Sequence, residues 1–352
     1  MTESRSFCVR FPADMPLPAL QDVMVSYGER LAATLLAAVL RSRGTAARYV
    51  DARRCIITNE EHGRAPLPER TGEGTRAQLV PLINEAIVPV LGGFIGTTPE
   101  GATTTLGRGG SDYSAALVGA ALKAREVQIW TDVAGVLTAD PRVVPHARTI
   151  ARLSFAEAAE LAYFGARCCT ENDSARAGRA NSGAHLQFAR AGEAGTMVCA
   201  ETEVRPLTVK AIAHKQGIVV LQITAARMLG AYGFLRAVFE IFERHRTAVD
   251  VVATSEVSIS LTIDDRTALA AIVGDLRGFG TVAVEDGRAI ICVVGEGLRS
   301  TPGVAARVFD QLRDINISLI SQGASSINLT FVTDETCAPE AVARLHRAFF
   351  ES

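Results

Sequence analysis

A near-repetition in the C-terminal half constrains this chain more than any other feature. Gly233-Phe-Leu-Arg-Ala-Val-Phe-Glu returns seventy positions later as Gly303-Val-Ala-Ala-Arg-Val-Phe-Asp, and Ser258-Ile-Ser-Leu-Thr-Ile returns as Ser326-Ile-Asn-Leu-Thr-Phe after a slip of two residues. Each copy has a glycine opening an amphipathic helix (233–245 and 303–313). Two β-rich runs follow it (248–253 and 257–263; 315–321 and 326–332). A period near seventy is longer than that of a solenoid, so the sequence predicts two small α+β units of one plan. The Pro206 region is the expected junction with what precedes them.

The N-terminal half reads differently. Apolar residues take helical spacing from about Leu31 to Leu40, with Gly44 as a stop, and Tyr49–Ile57 reads as one or two strands. A helix is expected over 77–84, then a buried strand over 87–91 ending at Gly92-Gly93. A hairpin-like tip at Thr98–Gly101 precedes LGRGGSD. Ser111 or Asp112 is expected there to cap a helix running to about Ala124, with a strand following at 127–130. Alternation of this kind implies βαβ units in an α/β domain.

Composition narrows the function. The chain has 352 residues, 36 Lys plus Arg against 38 Asp plus Glu, so it lacks the basic surplus of a nucleic-acid binder. Seven cysteines without a CxxC pair indicate neither a disulfide framework nor a zinc site, and Cys168-Cys169 reads as a pair of small hydrophobes. The Leu31–Leu40 run is too short to span a bilayer and the first residues lack a signal-peptide core, so a cytoplasmic, membrane-free protein is expected. Only three of the basic residues are lysines: Lys123, Lys210 and Lys215.

Two segments carry chemistry. In Leu106–Asp112, three glycines free backbone N–H groups, a helix N-terminus adds its positive dipole end, and Arg108 supplies a fork for a carboxylate or phosphate. The spacing is neither a GxxxxGK[ST] loop nor GxGxxG, and it also suits a plain glycine turn and cap. Thr131 and Asp132 follow a strand, where ligands of open α/β sheets bind; an Asx turn is the simpler account of that pair alone.

The runs VLGGFIGTTPEGATTTLGRGGSDYSAAL, WTDVAGVLTADPR and LSFAEAAELAYFGAR resemble the catalytic domain of aspartokinases, and RMLGAYGFL, VDVVATSEVS and ISLISQGASSINLTF resemble their paired ACT domains. The resemblance implies an amino-acid-kinase αβα sandwich over 1–206, a first ACT domain over 217–286, and a second, ferredoxin-like like the first, over 207–216 plus 287–352. It implies transfer of the ATP γ-phosphate, with Mg2+, to the β-carboxylate of L-aspartate, feedback control by an amino acid with lysine favoured, and a homodimer through the ACT domains. By the same resemblance Glu29 meets the aspartate amino group and Arg108, Gly109, Gly110 and Ser111 hold its carboxylate. Asp112 is the catalytic residue, orienting a phosphoryl-transfer lysine. Thr131, Asp132, Leu137, Arg142 and Arg167 line the nucleotide site. Met228, Gly233, Phe234, Leu235, Asp250, Ser255, Glu256 and Val257 bind the effector.

The departures from the family pattern matter as much. No KxGGTS-type loop occurs, Arg167 stands in GARCCTE for a nucleotide-binding lysine, and Leu137 stands for a tyrosine. Arginine keeps the charge and changes the geometry. The expectation is therefore weak turnover by these 352 residues alone. The alternatives are an amino-acid-sensing subunit paired with a complete kinase, or a late start in the gene.

Overall fold

The computed structural model describes residues 15–60, 71–107, 109–164, 185–189, 192–200 and 208–351. The Pro206 junction, Cys168-Cys169, Arg108 and Arg167 lie outside them. The described residues form two compact units. One runs to Ala134 and takes in Arg152–Phe155 and the described part of 169–200. The other comprises Gly135–Ala151, the described part of 156–168 and everything from Thr208 on.

The first unit opens with α1 (Leu17–Ser42), which starts well before the expected Leu31. The early turns escape an apolar pattern because their buried positions are polar. Asp22 accepts hydrogen bonds from the Thr105 N–H (3.1 Å) and hydroxyl (2.6 Å), and Ser26 is fully buried. Gly44, at φ +84°, follows the helix end. By length and composition alone this helix, longer than the ten-residue apolar run within it, is long and apolar enough to cross a membrane, and Met24, Leu35 and Val39 lie exposed along it.

Next come β1 (Ala47–Tyr49), a 3-10 turn at Ala52–Arg54, and α2 (Thr71–Asn84). The 3-10 turn replaces part of the expected strand because the Asp51 carboxylate accepts from the Arg53 N–H, a local bond that competes with extension. β2 (Val88–Val90) pairs in parallel with β1, and β3 (Ile95–Thr97) pairs with β4 (Thr103–Thr105) across the expected hairpin tip. α3 (Gly110–Leu122) leads to β5 (Glu126–Trp130). With β6 (Arg152–Ser154), β7 (His185–Ala189) and β8 (Thr196–Cys199), β5 forms a sheet in the order β5-β7-β8-β6. Ile56, Leu79 and Leu82 centre one core, and Ala33, Ala37 and Val90 another. α4 (Phe155–Tyr163) begins where the chain passes from the first unit to the second.

The second unit is built on two long strands, β9 (Thr208–Thr224) and β12 (Thr281–Glu296). Between them lie α5 (Phe234–Arg244), β10 (Val252–Thr254), β11 (Ser258–Ile263) and α6 (Leu269–Leu276). After them come α7 (Val304–Asp310), β13 (Ile317–Gln322), β14 (Asn328–Asp334) and α8 (Ala338–Phe350). The strand order is β10-β11-β9-β12-β14-β13. The C-terminal part of β9 lies between β11 and the start of β12, and its N-terminal part pairs with the end of β12, which β14 flanks. Both repeats thus become ferredoxin-like β-α-β-β-α-β layers, the second borrowing its last strand from the start of β9. Gly217 (φ +74°) and Gly287 (φ +66°) stand where the two strands pass between the halves. Leu221, Phe242 and Leu261 sit in the core of one half, and Ile291, Phe331 and Leu345 in that of the other.

Candidate functional site

In the first unit, glycines bring three elements together. Gly107 (φ +76°) and Gly109 (φ +73°) take left-handed backbone, so the cap of α3 is Gly109 rather than Ser111 or Asp112, which lie in the first turn. No side chain caps that end, leaving N–H groups for an anion. The Gly92-Gly93 turn closes on it. A Cβ on Gly93 would lie 2.8 Å from the Ser111 Cα, and one on Gly92 would lie 3.1 Å from the Glu29 Cβ. Glu29 of α1 and Ser111 of α3 therefore flank one turn.

Phe94 holds that turn in place. It takes the unusual φ of +69°, and its N–H donates to the Ser114 hydroxyl (2.9 Å) while its carbonyl accepts from the Leu106 N–H (2.9 Å). A non-glycine residue in this region is strained and persists where its surroundings require it. Sequence reading gave Phe94 no role, since nothing in the residue type signals a positive φ. Asp112 is half-buried, and burial pushes its carboxyl above the usual range.

Thr131 donates to Asp132 (3.2 Å) just after β5 in the first unit. Leu137 and Arg142 belong to the second unit. Leu137 bridges to Thr149, and Arg142 forks onto Asp140 with Nε–Oδ1 at 3.0 Å and Nη2–Oδ2 at 2.5 Å. That fork holds the Asp140 carboxyl below its usual range.

The expected effector residues all lie in the second unit. Gly233 (φ +79°) is the N-cap of α5 with no side-chain cap, Phe234 packs edge-to-face on Phe279 (5.8 Å), and Met228 is half-buried against the same core. Leu235, Glu256 and Val257 are exposed. Ser255 acts as a turn residue, its hydroxyl accepting from the Ser258 N–H (3.1 Å). Asp250 is different: its side chain is 2% exposed, and its Oδ1 accepts from Lys215 Nζ (3.1 Å) and the Tyr163 hydroxyl (2.7 Å). Lys215 also meets Asp264 (2.7 Å). Sequence reasoning missed Lys215 and Tyr163 as partners; the scarcity of lysine was the signal for the first.

Comparison with known proteins completes the picture. The amino acid kinase family model matches residues 4–170, and an ACT domain model matches 291–349. Lysine-sensitive aspartokinase 3 of Escherichia coli is 40% identical over 344 residues, which cover 95% of this chain and 76% of that protein. The chain belongs to the aspartokinase family. Chloroplastic aspartokinase 1 of Arabidopsis thaliana is 38% identical over 94% of the chain, which spans 61% of that longer protein. Among solved aspartokinases, that of E. coli with aspartate and ADP superposes with a TM-score of 0.84, covering 95% of this chain and 76% of the other. The same enzyme with lysine and aspartate gives 0.77 over the same coverage. The amino-acid-kinase and ACT folds implied by the sequence are those of this family.

Proposed function

We propose that this chain serves as an aspartate kinase, taking ATP with Mg2+ and L-aspartate to ADP and 4-phospho-L-aspartate, the step that opens lysine, threonine and methionine synthesis. One observation carries the reading: the Gly92-Gly93 turn places Glu29 and Ser111 around the uncapped N-terminus of α3. A carboxylate for the ammonium group and N–H groups for the α-carboxylate suit an amino acid. Arg108, Gly109 and Gly110 complete the carboxylate cradle, and Asp112 lies one residue along. Thr131, Asp132, Leu137, Arg142 and Arg167 serve the nucleotide. In the reaction a β-carboxylate oxygen attacks the γ-phosphorus and ADP departs, so catalysis rests on positioning and charge stabilisation.

The same reading assigns 1–206 to the kinase domain, 217–286 to the first ACT domain and 207–216 plus 287–352 to the second. Lysine is the effector, and the chain is a cytoplasmic homodimer joined through its ACT domains. That E. coli aspartokinase III has been solved in complex with lysine and aspartate supports the effector assignment.

Because no KxGGTS-type lysine occurs in these 352 residues, binding tests the reading more sharply than turnover. Calorimetric titration is expected to show L-aspartate binding. Arg108→Ala should weaken it by about tenfold or more, the loss expected when a charge-assisted contact is removed. Absence of aspartate binding by the unaltered chain overturns the proposal.

A further inference from the structure

Helix α4 lies on the regulatory sheet by three polar contacts spaced three residues apart, hence along one face. Glu157 accepts from Lys210 of β9 (2.8 Å), Glu160 accepts from Asn328 of β14 (2.8 Å), and Tyr163 donates to Asp250 (2.7 Å). The third contact stands apart. Among the described residues, Asp250 and Asp264 bring two negative charges to the single positive charge of Lys215, so the described cluster is one positive charge short. Within it, Oδ2 of Asp250 is buried and has no hydrogen-bond partner among the described residues, although Oδ1 of the same carboxylate has two. A bare buried carboxylate oxygen is costly unless a donor meets it. The donor that also balances the charge is a cation with N–H groups.

We infer that Tyr163 and Lys215 are positioning residues of the effector site: by holding Oδ1 of Asp250 they leave Oδ2 to accept the side-chain ammonium of a diamino acid. The Lys215 ammonium, 5.2 Å from the Tyr163 ring centroid, braces the same phenol. Occupancy at Asp250 is thereby felt by α4, the first element of this unit to follow the kinase-side strand β6 in the chain. The inference rests on the reading of lysine as effector and adds two residues that the resemblance did not assign.

The experiment is a double-mutant cycle read by lysine calorimetry on the full chain, with norleucine, which has the same stem without the ammonium, as the comparison ligand. Tyr163→Phe removes one oxygen and is expected to lower lysine affinity about tenfold, a charge-assisted bond's worth, while leaving the weak response to norleucine unchanged. Asp250→Asn should lower lysine affinity further, and the double variant should bind no worse than Asp250→Asn alone, since the tyrosine acts through the carboxylate. As a second measurement on the unaltered chain, lysine but not norleucine should perturb tyrosine absorbance, and the signal should vanish in Tyr163→Phe. Wild-type lysine binding that Tyr163→Phe leaves intact, or additive losses in the double variant, overturns this inference alone. No lysine binding by the wild-type chain overturns the effector reading and the inference with it.

Discussion

Gly93 shows how little room the candidate aspartate site leaves. A methyl group there would sit 2.8 Å from the Ser111 Cα, a backbone atom that cannot swing aside as a flexible side-chain end would. Gly28, beside Glu29 in α1, has open space around it and no positive φ. Gly93→Ala should therefore push the turn off α3, costing about 1–3 kcal/mol of stability by overpacking and weakening aspartate binding. Gly28→Ala should be neutral or stabilise by up to ~1 kcal/mol through helix propensity. Urea unfolding and aspartate calorimetry on the two variants check the contrast. Sequence alone marked Gly92-Gly93 as a strand-ending turn, because glycine pairs punctuate local structure. It did not show that the turn presses on Glu29 and Ser111, because that closeness comes from packing three distant segments together.

Among the elements, those of the repeat were the most readable. The glycine-led helices and the later strand of each copy fall within a few residues of expectation, at 234–244, 304–310, 258–263 and 328–334. The expected 248–253 run shortens to β10 (Val252–Thr254), and the long strands β9 and β12 and the helices α6 and α8 were not anticipated. Strong amphipathic periodicity against a sheet leaves little freedom. The start of α1 and the 3-10 turn at Ala52–Arg54 were hidden where polar side chains, Asp22 and Asp51, form the deciding hydrogen bonds. Strand β9 adds a pH dependence. His214 is half-buried, with Asp140 and Arg142 acting on it in opposite senses, and burial holds its pKa below the usual 6.5, so the folded strand prefers the neutral ring. The unfolded chain takes up this proton first as pH falls through about 6.5. Stability from the neutral ring is thus present above that pH and lost below it. The Asp140–Arg142 contribution lies in a separate window, since its lowered carboxyl keeps the pair intact until the pH falls below the ordinary carboxylate range. Between pH 7.5 and 5.5, His214→Gln should flatten the fall in denaturation midpoint seen for the wild type; an unchanged slope would rule the ring out as its source.

For the whole molecule, the proposed homodimer through residues 208–352 can be weighed against exposed apolar side chains of this region. Leu229, Tyr232, Val284 and Ile320 are exposed, and small ACT layers gain stability from pairing. Light scattering at micromolar concentration is expected to give twice the 37.3 kDa chain mass, and a monomer at that concentration would contradict the assembly.

The two long strands carry one more consequence. Since β9 and β12 each run through both halves, neither half of the repeat owns a complete sheet. The seventy-residue unit visible in the sequence is thus not a module that evolution can lose singly. Excising either copy takes away a strand that the other copy uses, and a one-residue deletion within β9 reverses which side chains face inward beyond it. The heritable unit is the pair, and its two copies are free to diverge in their loops while staying bound to a common spine.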